Sequence, residues 1–253
     1  MSFSENHKTT VIPGRPAGVE GNFYKKAGNK IGPGMNERIQ RLRKLSVETP
    51  ETLSVERGLI TTRFYKENYG KYSEPVMRAL NFMEICKQKA IYIGNDELIV
   101  GERGPQPKAV PTFPELTCHS VNDLKVLNTR DQQRYTLPQE DIDVYEREVI
   151  PYWQGRTMRE RIFSHVPSGW QRAYEAGVFT EFMEQRAPGH TSLDGAIYTK
   201  GMLDYKKEIR EHIESLDFMN DSEATARLEE LSAMDISCDA AIVFAERHAE
   251  LAE

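Results

Sequence analysis

A helical rhythm of apolar residues, recurring from about residue 36 to the last residue, restricts the fold more than any other feature. Met202, Tyr205, Ile209, Ile213 and Leu216 keep a 3–4 spacing, with Lys206, Lys207, Arg210 and Glu211 on the other side of one long helix. A second long helix is expected from Ser222 to Glu253, with Leu228, Leu231, Ile242 and Ala245 inward. Earlier in the chain, Ile39, Leu42 and Leu45 lie on one face of a short basic helix. Ser54 reads as the N-cap of the next, with Glu56 in its first turn, where a carboxylate suits the helix dipole. Val55, Leu59, Ile60 and Phe64 are its expected buried side, and Gly70 ends it. Ser73-Glu74-Pro75 then starts a helix with proline at the first helical position and a stripe of Val76, Leu80, Met83 and Lys87. So short a connection predicts an antiparallel pair. Residues 138–150 form a charged helix with Ile142, Tyr145 and Val149 inward and Pro151 closing it. Trp153 and Trp170 bracket a shorter helical piece through Met158 and Ile162.

Little room is left for strands. Asn95-Asp96 followed by Leu98-Ile99-Val100 suggests one short buried strand. Prolines 105, 107, 111 and 114 exclude regular structure from Gly104 to Pro114, which reads as an extended surface loop. Residues 1–34 are rich in glycine and proline with no periodic apolar face, so they are expected to be a flexible arm, with Phe23-Tyr24 as an anchor. The expected fold class is mainly α with a few short strands, in residues 35–253.

Composition narrows the function. A net charge of −6 argues against a nucleic-acid-binding surface. No apolar run approaches the ~20 residues that span a bilayer, so no membrane partner is expected. Met1-Ser2-Phe3-Ser4-Glu5-Asn6 lacks the basic-then-apolar pattern of a secretory signal. Three widely spaced cysteines, Cys86, Cys118 and Cys238, fit a reducing cytoplasm and form neither a disulfide framework nor a zinc pattern. Neighbours such as Cys118-His119 point to opposite sides of an extended segment, so Cys118 reads as structural or incidental and no metal is expected.

The stretch Phe179 to Thr191 is the strongest site candidate. Val178, Phe179, Phe182 and Met183 share a helical face, and Pro188-Gly189 then makes a tight turn. The turn delivers His190 just beyond a helix end that carries Arg186, beside two aromatic side chains. A charged fork and an imidazole on rigid backbone suit a small polar molecule, although most helix-Pro-Gly corners are only corners. Glu181 and Glu184 share a face, but two carboxylates alone are more often solvated than catalytic. There is no phosphate loop, no paired histidine at metal spacing and no Gly-x-Ser-x-Gly elbow.

Several segments together resemble the amino-terminal part of a glycyl radical enzyme of the pyruvate formate-lyase-like family. They are Glu37-Arg38, Ser54-Val55-Glu56-Arg57, Pro75 to Leu80, Asn95 to Glu102, Pro111 to Glu115, Ile150 to Trp153, Ala173 to Gly177, Phe179 to His190 and Asp217 to Asp221. The run from Phe182 through Gln185-Arg186-Ala187-Pro188-Gly189-His190-Thr191 is most similar to trans-4-hydroxy-L-proline dehydratases. That resemblance implies that Phe182 and His190 line the substrate pocket, with His190 near the substrate's hydroxyl. Related sulfonate-cleaving lyases imply an anion contact for Arg186. The implied fold is a ten-stranded α/β barrel whose amino-terminal portion is mostly helical wrapping. The implied cofactor is an organic glycyl radical, installed by an iron–sulfur S-adenosylmethionine activating enzyme, in a cytoplasmic homodimer of anaerobic metabolism.

The sequence also departs from that pattern. None of the three cysteines follows a glycine, as the family's reactive cysteine does, and the glycyl motif is absent. The last helix carries no stop signal, which fits either the front of a longer protein or a frayed end. The expectation is therefore the front segment of a glycyl radical lyase or dehydratase, without catalytic residues of its own and inactive alone. The alternatives are a non-catalytic helical binding or assembly module on the same scaffold, or a member acting on a sulfonate, diol, choline or formate/pyruvate.

Overall fold

The first compact unit, residues 1–47, contributes helix α1 (Glu37–Glu48), entered from Asn36, whose side-chain oxygen accepts the Ile39 amide at 2.9 Å. No residue of α1 is buried. The computed structural model describes residues 36–97, 100–132, 134–178 and 194–253, so the arm over 1–34 lies outside the described residues.

The second unit, residues 48–253, begins with a correction to the sequence reading. Ser54 is not an N-cap; it ends a strand, β1 (Thr52–Ser54), and helix α2 (Glu56–Asn68) starts from Val55. The partner of β1 is β2 (Ala109–Pro111), inside the proline-rich segment expected to lack regular structure. The two run parallel, with Thr52 opposite Ala109 and Ser54 opposite Pro111. Proline is tolerated because a parallel strand uses alternate residues for its ladder. Thr52 N–H donates to Lys108 O and Thr112 N–H to Ser54 O, so 108, 110 and 112 face β1 and Pro111 falls between them. On its other edge β1 meets Thr136, whose carbonyl accepts the Leu53 amide at 3.1 Å.

Helix α2 is followed by α3 (Glu74–Gln88), with Ser73 as N-cap and Pro75 in the first turn, and the two pack together. The stripe expected to face inward on α3 is only half-buried at Val76, Leu80 and Met83. The buried residues are Met77, Ala79, Asn81 and Cys86. The reason is a second neighbour: α3 also carries the last helix, α10 (Ala224–Ala252), which rotates its covered face. Arg247 of α10 donates to the carbonyls of Cys86 and Lys89 at 2.5 and 2.9 Å, satisfying acceptors at the end of α3 that the helix itself leaves open. The buried residues of α10 are alanines, Ala224, Ala233 and Ala240, while Ala245, expected inward, is exposed.

No strand forms over Val100 to Glu102, and Val100 is exposed; Leu98 and Ile99 lie outside the described residues. Helix α4 (Val121–Thr129) carries a full capping box between Ser120 and Asp123 and buries Leu124 completely. Next comes α5 (Gln139–Val144), a π-helical turn over Tyr145–Val149, and α6 (Ile150–Trp153). Ile142, Tyr145 and Val149 are buried as expected, but Pro151 does not close the helix. The π turn shifts the ladder, with Ile150 N–H bonding to Tyr145 O, so the missing proline donor is absorbed and the helix runs on to Trp153. Leu53, Val55, Leu124, Leu137, Ile142, Tyr145, Val149 and Trp153 form the main core.

Beyond it come α7 (Met158–His165), α8 (Ser168–Glu175), a 3-10 turn (Asp194–Tyr198) and α9 (Met202–Glu214), which packs on α10. Lys206, assigned to the outer face of α9, instead has a side chain only 11% exposed and reaches Asp235 and Asp239 of α10 at 2.8 and 2.7 Å. Its four-carbon stem lies along the interface while the ammonium finds two carboxylates one turn apart.

Candidate functional site

Phe182, Arg186 and His190 all fall in residues 179–193, outside the described residues. What the structure describes is the ground from which that stretch leaves, the α7–α8 hairpin, and how it is anchored.

The anchor begins at Arg57 on α2. Its guanidinium grips both oxygens of Glu115 at 3.1 and 2.5 Å, donates to Thr112 O at 3.3 Å, and lies 4.0 Å from the centre of the Phe113 ring. A planar fork on a carboxylate and an aromatic face suits arginine and not lysine. Two segments that carry the family resemblance, Ser54 to Arg57 and Pro111 to Glu115, are thus one contact. The backbone of Glu115 and Leu116 in turn accepts the first amides of α7, from Met158 at 2.9 Å and Arg159 at 3.1 Å. Thr157 and Glu160 complete that helix start as a capping box. Burial opposes the charge on Glu160, but the Gly155 and Thr157 amides and the Thr157 hydroxyl outweigh it. They hold the carboxyl below its ordinary range.

From α7 the chain turns through Pro167 into α8. Gln171 donates to the carbonyls of Phe163 and Val166 at 3.0 and 2.9 Å, fixing the corner. Arg159 donates to the Tyr174 hydroxyl and sits 5.1 Å from the Tyr174 ring and 5.6 Å from that of Phe163. Helix α8 ends in a Schellman motif: Val178 N–H bonds to Ala173 O, Gly177 N–H to Tyr174 O, and Gly177 takes φ of 72°. Val178, expected on a helical face running on to Met183, therefore stands outside a helix that has already stopped, and it is exposed.

Two open clefts stand out among the described residues. One, of about 730 Å³, lies on the same hairpin, with Met158, Ile162, Val166, Pro167 and Trp170 as its apolar lining and His165 at its edge. The other, of about 690 Å³, lies between the end of α9 and the start of α10, where Arg227 is paired with Asp221 and Glu223 at 3.0 and 3.1 Å. At the first, His165 Nδ1 lies 3.0 Å from the exposed Ser164 hydroxyl and 2.8 Å from the Arg161 carbonyl, contacts made within one helical turn.

The three thiols all lie in described residues. Cys86 is buried in α3, Cys118 lies 3.8 Å from the Tyr145 hydroxyl, and Cys238 sits inside α10. Burial pushes all three thiols up. Among the described residues no cluster of three metal-ligating side chains occurs, and no helix is long and apolar enough to cross a membrane. Arg57–Glu115, Arg159–Tyr174 and Lys206 with its two aspartates all escaped sequence reasoning. The one available signal was that Tyr174 stands in the segment of densest resemblance.

Among the described residues the second unit is mainly helical with one short parallel strand pair, and its α7–α8 hairpin precedes the Phe182–Arg186–His190 stretch in sequence. The chain belongs to the pyruvate formate lyase-like family, which it matches over residues 35–253. It is 42% identical to trans-4-hydroxy-L-proline dehydratase of Clostridioides difficile, over 87% of this chain and 28% of that protein. It is 26% identical to an isethionate sulfite-lyase of Nitratidesulfovibrio vulgaris, over 86% of this chain and 27% of that one. The fold superposes with a TM-score of 0.80 on the crystal structure of hydroxyproline dehydratase (HypD) from Clostridioides difficile with substrate trans-4-hydroxy-L-proline bound. That match covers 87% of this chain and 28% of the other, at 42% identity. The chain thus spans less than a third of the length of these relatives, which are glycyl radical lyases and dehydratases.

Proposed function

We propose that this chain forms one wall of the substrate cavity of a glycyl radical carbon–oxygen lyase that dehydrates a small hydroxylated substrate such as trans-4-hydroxy-L-proline. The observation that carries this reading is the 42% identity over 219 residues to a dehydratase of that substrate. His190 hydrogen-bonds near the hydroxyl that leaves as water, Phe182 lines the pocket, and Arg186 holds the substrate's anionic end. A positioned donor at the leaving oxygen stabilises charge that develops only as the bond breaks. The organic glycyl radical supplies the one-electron oxidation that starts hydrogen abstraction, and an iron–sulfur S-adenosylmethionine activating enzyme installs it. This chain binds and orients; with no cysteine suited to the radical, it does not turn over substrate by itself. Its helices are the mostly helical amino-terminal portion of a ten-stranded α/β barrel protein, and the assembled enzyme is a cytoplasmic homodimer.

The test joins the chain to a segment that carries the family's Gly-Cys loop and glycyl motif, and compares His190→Ala with the parent. Loss of a donor at the reacting centre lowers turnover by roughly 10²–10³-fold at equal glycyl radical content. Parental turnover in the variant would remove His190 from the site.

A further inference from the structure

The charge of this chain is gathered in one place. Residues 211–230, the end of α9, the loop after it and the start of α10, hold seven carboxylates against one arginine. Their net charge of −6 is that of the whole chain, so the rest of the sequence is balanced. The cleft of about 690 Å³ lies in this stretch. Its α10 side is made by Arg227, Glu230, Leu231 and Met234, whose i, i+3, i+4, i+7 spacing puts them on one helical face. Leu216, from the end of α9, adds to the apolar lining, and Asp217 stands beside it.

The charge in the cleft is not cancelled from within. Arg227 is engaged by Asp221 and Glu223 at 3.0 and 3.1 Å. Asp217 accepts from the Asn220 side chain and from the Met219 and Asn220 amides, donors that hold its carboxyl below the ordinary range, so it stays ionised. Among the described residues no basic side chain forms an ion pair with Asp217 or Glu230. Apolar surface lies open beside these charges: Met234 in the cleft, and Phe218 and Met219 on the loop between Asp217 and Asp221, are all exposed.

We infer that this cleft is a docking site for a basic segment of another polypeptide, one that carries an apolar anchor among its lysines or arginines. The anchor covers Leu216, Leu231 and Met234, and the cations meet Asp217 and Glu230, so one segment relieves both the exposed apolar surface and the uncancelled charge. Methionine suits such a floor because its unbranched side chain adapts to the shape of what it meets. A second copy of the same face is excluded as occupant, since it would set one −6 stretch against another. Nucleic acid and anionic lipid are repelled for the same reason.

The experiment is fluorescence anisotropy with the whole 253-residue chain and a labelled lysine peptide that carries leucines at helical spacing. A matching peptide with glutamate in place of lysine is the control. Parent protein should bind the lysine peptide, more weakly as salt is raised, and should not bind the glutamate one. Glu230→Lys should weaken binding by about fivefold or more, since it replaces an attraction by a repulsion at close range. Glu250→Lys makes the same change of net charge about 30 Å away on the same helix and should leave binding within about twofold of the parent. Met234→Ser should weaken binding severalfold. All three positions are exposed, and an unchanged urea midpoint checks that each variant keeps its fold. The inference is overturned if the parent binds neither peptide or both alike. It is equally overturned if Glu250→Lys loses as much affinity as Glu230→Lys, which would mean attraction to overall charge, or if Met234→Ser binds as the parent does.

Discussion

Arg57 ties two pieces of chain with one side chain: its own helix and the 111–115 segment, through the Thr112 carbonyl and the Glu115 carboxylate. Its neighbour Gly58 shows how close the pieces come, since a Cβ there would lie 2.5 Å from Thr112 Oγ1. The pair is part-buried, so the ion pair is worth more than an exposed one, yet its main asset is geometry. Arg57→Lys keeps the charge and loses the fork. The expected cost is about 1.5–3 kcal/mol, the usual range for a hydrogen bond to a charged group, read as a lowered urea midpoint with unchanged slope. A stability equal to the parent's would mean that charge alone suffices. Sequence reading saw Arg57 and Glu115 as resemblance-bearing letters and had no means of joining them, because 58 positions separate the two.

Helix pairing shows the same division. The apolar spacing of α9 correctly located a helix over 202–214, with Ile209 buried, but it assigned Lys206 to solvent by its charge. Burial opposes that charge, yet hydrogen bonds to Asp235 and Asp239 outweigh it and raise the ammonium above its ordinary range. The sign follows directly. A pKa raised in the folded state contributes stability in full below the unfolded value and loses it as pH rises through the folded one. The α9–α10 pairing should therefore weaken above about pH 10, the ordinary lysine value. Lys206→Met should lower stability at neutral pH, since it leaves two carboxylates facing each other, and should flatten the alkaline fall relative to the parent. Unfolding midpoints measured against pH check both, and an equally steep fall in the variant would rule the lysine out. The π turn at Tyr145–Val149 is the other element-scale lesson, because proline reads locally as a stop and only the shifted ladder reveals that the helix continues.

For the molecule as a whole, the telling feature is apolar surface left in water. Trp170 is 57% exposed, Val178 75%, Leu203 71% and Met219 90%. These side chains sit on α8, on α9 and just beyond each, and where such residues join into a contiguous patch they mark a surface that meets another polypeptide. Static light scattering of the purified chain should show association that grows with concentration. A clean monomer that unfolds in one cooperative step would instead favour a self-sufficient helical binding module. Either outcome bears on activity, because the chain spans 28% of the dehydratase it resembles.

From its residues alone the chain determined its helical character, the starts of α1 and α3, the end of α2 before Gly70, the inward set Ile142, Tyr145 and Val149, and its family. Each of these rests on spacing, capping or wording carried within a few turns of backbone. Tertiary structure decided that a proline-bearing segment is a strand, that Lys206 is an interior ion-pair donor, and that Arg159 and Tyr174 brace one hairpin. Those outcomes depend on partners tens of residues away or on an adjoining helix, and no local pattern encodes which distant carbonyl, ring or carboxylate will arrive beside a given side chain.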